Sequence, residues 1–340
     1  MEKVHKILIA THDAGGAQIL ASLMKKYLKC FDWFAFVAGP AMGIFAREGL
    51  PYKASKNIGS TLHALKPDLV LTGTGWASHL ELDFIKEAKK AGIKSAAYLD
   101  HWCNYRERFG YPGPWQENLP DFVFVGDKEA HKLALKNYFG EGLLRQVENP
   151  CWQDIHRKIA LRREKYSKQK SSRKIKVLYL SSPITVHTKQ MHGDERYWGF
   201  TEYDQIEDLL DVVKNDPRLE LRVRLHPAEA NDKYDCLKLA FVSFSDPRKT
   251  DLVEDCLQAD IIIGCDSMAL VAAWMTGHMA INYFKGEKLK PVLPQKGIIR
   301  VFSKTALAKK IKMFQKKDES PCLSLDFFTF EFPKVLGQLN

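Results

Sequence analysis

No stretch of 18 or more consecutive apolar residues occurs in the 340-residue chain, so the sequence offers no membrane-spanning helix. Cysteine is sparse and scattered. The seven are Cys30, Cys103, Cys151, Cys236, Cys256, Cys265 and Cys322, an odd number with no CxxC pair. That pattern excludes a disulfide scaffold and a zinc knuckle. The opening "MEKVHKILIATHDAGG" lacks the apolar block and cleavage site of a secretory leader, which predicts a cytoplasmic protein. Neither GxGxxG, nor a P-loop, nor HExxH, nor a DxD between apolar strands is found. The expectation is therefore no metal site and no tightly bound cofactor.

Acidic residues are the minority. There are 41 against 51 basic ones, giving a formal net charge of +10. The excess is concentrated. Residues 153–176, "QDIHRKIALRREKYSKQKSSRKIK", hold ten Lys or Arg and two acidic residues. A second basic run is "LAKKIKMFQKK", residues 307–317. Such runs are solvated faces or contacts to polyanions. No zinc-finger or RNP pattern accompanies them, so nucleic acid is not expected; a solvated linker and helix face is the leading reading, and peripheral contact with an anionic membrane at its inner face is the alternative.

What the chain does have is a repeated strand–turn–helix rhythm, and its 45% hydrophobic content is ample for real cores. "HKILIATHDAGGAQILASLMKKY", "PDLVLTGTGWASHLELDFIKEAKKAG" and "PDFVFVGDKEAHKLALKNYFG" each run from an apolar strand through a polar corner into a helix. Strands that are apolar throughout predict parallel sheets covered on both faces. The rhythm stops at "VENPCWQDIHRK" and resumes at "KIKVLYLSSPI". The predicted organisation is an N-terminal Rossmann-like domain over 1–150, a basic linker over 151–171, a C-terminal Rossmann-like domain over 172–316, and a docking tail over 317–340.

Polar corners at the carboxyl ends of parallel strands are where such sheets bind ligands. In the first half, Gly15 and Gly16 open a helix and would let an anion or sugar approach its N–H groups. His12, Asp13, Asp100 and His101 stand at strand ends and are candidates for a catalytic base. In "DHWCNYRERFGYPGPW", Trp102, Tyr105 and Trp115 are candidates to stack on a sugar, and Arg106 and Arg108 to meet an anion. The alternative for that loop is packing over the sheet.

In the second half, "VRLHPAEA" ends a strand in His226, held by Pro227, with Arg224 two residues earlier on the same face. "ADIIIGCDSMAL" places Asp266 and Ser267 before a helix, where Ser267 either caps it or bonds a phosphate. Asp266 would repel a phosphate and is expected to turn aside or meet a ribose. Ser182 and Lys189 follow another strand, and Arg248 a further one, as additional anion-binding candidates.

With these residues in view, the chain resembles the nucleotide-sugar glycosyltransferases of the GT-B type over about residues 5–316. "HDAGG" is similar to their glycine-bearing first loop. "VENPCWQD" resembles the Gly-Asn-Pro-x-x-x-Asp hinge of related transferases and UDP-GlcNAc 2-epimerases, with Glu148 in place of glycine. "LHP" and "DSMAL" are similar to the His-Pro and serine motifs of bacterial sialyltransferases, capsule polymerases and CDP-glycerol transferases. The epimerase SGG signature is absent where "DSM" stands. The resemblance implies two Rossmann-type domains facing across a cleft, with His226 and Ser267 on the donor phosphate. It implies metal-independent transfer of a sugar from a CMP-, CDP- or UDP-linked donor to a surface-glycan or lipid-linked acceptor. The alternatives are a nucleotide-sugar 2-epimerase or hydrolase, or a non-catalytic nucleotide- or glycan-binding protein.

Overall fold

The computed structural model describes residues 5–54, 57–75, 78–167, 174–237, 239–315 and 322–338. Residues 1–153 with 325–340 form one compact unit and residues 154–324 another.

In the first unit the strands are β1 (Lys6–Thr11), β2 (Asp32–Val37), β3 (Leu69–Thr72), β4 (Ser95–Tyr98), β5 (Phe122–Val125) and β6 (Leu144–Gln146). Between them run α1 (Ala14–Lys26), α2 (Pro40–Arg47), α3 (Ile58–Leu65), α4 (Leu80–Lys90) and α5 (Lys128–Lys136). All pairs are parallel, in the order β2-β1-β3-β4-β5-β6. Ile7, Leu8, Ile9 and Ala10 are fully buried, as expected of a strand covered on both faces. On one face Leu8 and Ala10 pack with Val70, Phe84 and Ala88.

α6 (Pro150–Ser167) follows, where the sequence reads as linker. Its basic residues are largely matched. Arg157 and Lys158 meet Asp154 at 2.6 and 2.9 Å, and Arg162 meets Asp251 and Glu254 at 3.3 and 3.5 Å. Most of the remaining basic run, residues 168–173, lies outside the described residues.

The second unit contains β7 (Ile175–Leu180), α7 (Ile184–His192), α8 (Glu202–Lys214), β8 (Leu219–Arg224), β9 (Val242–Ser245) and α9 (Leu252–Gln258). It continues with β10 (Ile261–Gly264), α10 (Met268–Met275), β11 (Met279–Tyr283), β12 (Ile299–Val301) and α11 (Lys304–Lys312). Its sheet is also parallel throughout, in the order β12-β11-β10-β7-β8-β9. Val177, Tyr179, Val223, Ile261, Ile263 and Ile281 form the centre of its larger core. No helix follows His226 directly among the described residues. The segment runs through turns to a single 3-10 turn at Asp235–Leu237.

The tail returns to the first unit as α12 (Phe332–Gly337), where buried Phe332 packs with Tyr27, Phe31, Trp33 and Phe124. Among the described residues, no helix is long and apolar enough to cross a membrane.

In each sheet the chain winds outward from one strand first in one direction and then in the other. In the first unit the reversal falls between β1 and β3, and in the second between β7 and β10. Crevices at the carboxyl ends of parallel strands open at such switch points.

Candidate functional site

At the β1 corner, three ionisable groups converge. His12 Nδ1 lies 2.7 Å from Asp13 Oδ1, so in the neutral ring Nδ1–H donates to the carboxylate and Nε2 keeps a free lone pair. The backbone N–H of His12 donates to Glu81 Oε1 at 2.7 Å. Glu81 comes from the first turn of α4 and is 3% exposed. Burial pushes its carboxyl up to about 7; the His12 N–H pulls the other way, and the charge of Asp13 adds to the rise. A Cβ at Gly39 would stand 2.3 Å from His12 Nε2, and one at Gly75 would stand 2.8 Å from Asp13 Cγ. Glycine at both places makes room for the pair.

The glycine turn is also occupied by the protein itself. A Cβ on Gly15 would fall 1.9 Å from Asp100 Oδ2, and one on Gly16 would fall 3.0 Å from the Cα of Gly73. Gly15 thus admits the Asp100 carboxylate, and Gly16 lets α1 close onto the β3 corner. This differs from the expectation that both glycines open space for a ligand.

Asp100 Oδ1 pairs with Arg108 Nη1, their side chains 9% and 7% exposed. Arg108 also donates to Thr74 Oγ1 at 2.9 Å and to the Cys103 carbonyl at 3.2 Å. Asp100 is therefore a neutralised carboxylate rather than an unencumbered base. His101 Nδ1 lies 3.2 Å from Cys103 Sγ. Burial opposes charge on both groups, and their mutual attraction overrides it. The imidazole pKa rises and the thiol pKa falls.

The aromatic candidates of this loop are packed inward. Trp102, Tyr105 and Trp115 are 5%, 1% and 4% exposed, so they present no stacking face to a sugar. Trp102 Nε1 donates to Asp127 at 3.1 Å, and Trp115 packs on Phe139. Arg106 lies over Tyr111 at 4.3 Å.

The β7/β10 switch point in the second unit is flanked by Ser181 and Ser182 on one side and by Asp266 and Ser267 on the other. Ser267 caps α10, its Oγ accepting the Ala269 N–H at 3.2 Å, which leaves the hydroxyl proton available to donate. Asp266, at φ +41°, turns to Asn282, whose Nδ2 donates to Oδ1 at 2.7 Å, and accepts the Val292 N–H at 3.2 Å.

His226 ends β8, which pairs with β7 and not with β10. Two strand spacings, about 10 Å, therefore separate the histidine and serine corners, with the serines of β7 between them. His226 Nδ1 accepts the Ala228 N–H at 3.2 Å, so Nε2 carries the proton. Burial pushes this imidazole down to about 4, assisted by His187 and Lys233, and keeps it neutral. The His226 N–H donates to Glu229 Oε2 at 2.8 Å. Glu229 Oε1 in turn receives Ser181 at 2.9 Å and Lys233 at 2.6 Å. Lys233 also bridges to Glu202 at 2.5 Å. Glu202 takes the N–H and hydroxyl of Thr185 at 2.8 and 2.6 Å.

The other cations expected here have acidic partners. Arg224, buried with Asp255, also donates to Thr250 Oγ1 at 2.7 Å. Lys189 pairs with Glu195 at 2.7 Å and Arg248 with Asp246 at 2.8 Å. Arg224 does not join His226 at the corner, because its strand face carries it into the sheet's ionic core. Glu81, Glu229 and Lys233 are the residues that the sequence reading missed. For Glu81 a signal existed. It falls on the buried stripe of α4 with Phe84, Ile85 and Ala88, where a carboxylate is out of place. Among the described residues no group of three or more His, Cys, Asp or Glu is placed to hold a metal ion.

No protein-family model matches the chain, and no curated protein matches it in sequence. Solved structures do match along nearly its whole length. It is similar to the UDP-GlcNAc 2-epimerase of Methanocaldococcus jannaschii in complex with UDP-GlcNAc and UDP. That match has a TM-score of 0.65 at 15% identity and covers 98% of both chains. Similarity to S. aureus MnaA in complex with UDP has a TM-score of 0.64 at 13% identity, covering 99% of this chain and 95% of that one. Anabaena Alr3699/HepE with UDP-glucose gives a TM-score of 0.59 at 13% identity, covering 91% and 89%.

At these identities the likeness establishes the fold, two Rossmann-like parallel α/β units of the GT-B kind. It corrects the resemblance drawn from "LHP" and "DSMAL". These structures are UDP-GlcNAc 2-epimerases and UDP-sugar complexes, not sialyltransferases, capsule polymerases or CDP-glycerol transferases. Two motifs of three and five residues at strand ends are too short to distinguish sugar transfer from epimerisation. The glycosyltransferase expectation gives way to the epimerase alternative.

Proposed function

We propose that the protein is an enzyme acting on a UDP-activated sugar, with epimerisation at C2 as its reaction. The observation that carries this reading is the likeness over 98% of both chains to a 2-epimerase whose structure holds UDP-GlcNAc and UDP. The local chemistry agrees with it. A diphosphate accepts hydrogen bonds from neutral donors as well as cations, and the second unit offers the Nε2–H of neutral His226 and the hydroxyl of Ser267, with the first N–H groups of α10 beside it.

Inversion at C2 requires that the C2 proton leave one face and return to the other. No carbonyl lies next to C2 to acidify it. Departure of UDP with the C1–O electron pair, coupled to removal of the C2 proton, forms a C1=C2 double bond. Re-addition of UDP at C1 with proton delivery to the opposite face of C2 balances the reaction. Proton removal needs a positioned base. His12 supplies the Nε2 lone pair, with Asp13 fixing the ring and stabilising the imidazolium formed. His101 and Asp100 stand at the neighbouring corner, where Asp100 holds Arg108 and orders the loop.

Incubation with UDP-GlcNAc in D2O tests this, with sugar protons followed by NMR. The expected result is a mixture of C2 epimers carrying deuterium at C2. Accumulation of free UDP and sugar without the epimer would replace the reading by hydrolysis, and binding with no turnover by a nucleotide-sugar-binding role.

A further inference from the structure

Among the described residues, Glu81 is the ionisable group at the β1 corner whose hydrogen bonding is incomplete. Oε1 accepts the His12 N–H at 2.7 Å, while Oε2 is buried and meets no donor among the described residues. An ionised carboxylate only accepts, so an unmatched oxygen in a dry site carries the full desolvation cost. A protonated carboxyl avoids it. Burial outweighs the opposing pull of the His12 and Glu81 backbone N–H groups, while the charged and titratable neighbours act in opposite senses. Asp13, across from α4, opposes a second negative charge, and the imidazole of His12 is the group that would favour one. The residue is 3% exposed, so solvent does not screen these interactions.

We propose that Glu81 is a proton-holding positioning residue, whose carboxyl carries the exchangeable proton that sets the charge felt by the His12–Asp13 pair. With the proton on, the corner holds one carboxylate, Asp13, and the His12 ring is oriented by it alone. With the proton off, a second anion lies at the backbone of the same histidine and strengthens its hold on a proton. Burial places this change near pH 7, since the carboxyl titrates at about 7. The kinetic part of the test rests on the proposed epimerase reaction. The structural part does not.

The His12 amide donates directly to this carboxyl, so its proton resonance reports the charge on Glu81. The full chain, labelled with [15N]histidine, is titrated from about pH 5.5 to 8.5, with the His12 amide assigned by its loss in His12→Gln. The expected result is a single step in the His12 amide proton shift centred near pH 7, absent in Glu81→Gln. A flat wild-type curve overturns the proposal without reference to any variant, and so does a wild-type curve that superimposes on that of Glu81→Gln. In the D2O exchange assay the wild type should show a limb near pH 7 in kcat that Glu81→Gln loses while its KM stays within about twofold. A kcat profile in Glu81→Gln that superimposes on the wild type reduces the residue to a structural hydrogen-bond acceptor. Should no UDP-sugar turn over, the epimerase reading falls, and the amide titration still decides the role of Glu81.

Discussion

Two strand-end histidines are built with one device and set to opposite purposes. In each unit a buried glutamate takes the backbone N–H of the histidine, Glu81 for His12 at 2.7 Å and Glu229 for His226 at 2.8 Å. The rings then diverge. His12 Nδ1 donates to Asp13, leaving Nε2 as a base, whereas His226 Nδ1 accepts the Ala228 N–H, leaving Nε2 as a donor. The glutamates diverge too. Glu229 is matched on both oxygens by Ser181, Lys233 and the His226 N–H. Glu81 has one oxygen unmatched among the described residues. Identical main-chain anchoring therefore does not decide what a histidine does. The partner of Nδ1 decides its tautomer, and the compensation of the anchoring carboxylate decides whether the corner holds a fixed or a movable charge.

The largest test removes the compensation. Lys233, 8% exposed, lies between Glu202 and Glu229, themselves 1% and 2% exposed. Lys233→Met would leave two carboxylates facing each other in a dry site, at a cost of roughly 3–5 kcal/mol. Urea unfolding at pH 7 measures it. A loss below about 1 kcal/mol would mean that Lys233 is not what distinguishes Glu229 from Glu81.

The next test reverses the sign. The Glu81 carboxyl goes from an ordinary 4.5 to about 7 on folding, so the folded state holds the proton more tightly. Stability from this group is full below pH 4.5 and is lost as pH rises to about 7. Glu81→Gln cannot lose it. The variant should match the wild type at pH 5 and exceed it by about 3 kcal/mol at pH 8, an uncommon gain from a single buried substitution. Equal denaturation midpoints at pH 8 would place the carboxyl among ordinary ones.

How far the sequence discloses these corners depends on the kind of signal. Apolar strands closed by polar corners reveal the parallel sheets, because both faces of β1 and β10 are buried and the pattern is continuous. His12, Asp13, His226 and Ser267 are visible because position at a strand end is local. Their partners are not. Glu81 lies 69 residues from His12, and no local rule links a first-turn glutamate to a distant amide. The inward turn of Trp102, Tyr105 and Trp115 is likewise set by packing against distant residues such as Phe139. Arg224 follows strand alternation correctly, but which face is the ionic core around Asp255 depends on α9, encoded 28 residues later.

His226 provides the acid counterpart to Glu81. Its imidazole titrates at about 4 instead of 6.5, so the folded state binds the proton less well. The stability concerned is present above pH 6.5 and is lost as pH falls through 4. His226→Gln should leave stability at pH 7 nearly unchanged and raise it by about 2 kcal/mol at pH 4.5, after allowance for partial exposure of the ring. The two titrations run in opposite directions over overlapping ranges, 4.5 to about 7 for Glu81 and 6.5 down to about 4 for His226, so the two variants depart from the wild type on opposite flanks. An acid limb unchanged in His226→Gln would assign it to other groups.

Ser267 sharpens the comparison with the smallest effect. Its Oγ caps α10 through the Ala269 N–H at 3.2 Å, and its proton is free for a phosphate oxygen. Ser267→Ala removes both interactions, and the cap alone costs about 1 kcal/mol in thermal or urea unfolding. Ser267→Asp keeps a cap, since a carboxylate accepts the same N–H, but places a negative charge where the diphosphate would sit. If Ser267 serves only α10, the aspartate variant is as stable as the wild type and binds UDP equally well. If the hydroxyl donates to a phosphate, the aspartate variant keeps its stability while UDP affinity, read by calorimetry, falls by at least tenfold, about 1.4 kcal/mol. The alanine variant then lies between them in affinity and below both in stability. That crossing of the two orders is an outcome a purely structural serine cannot produce.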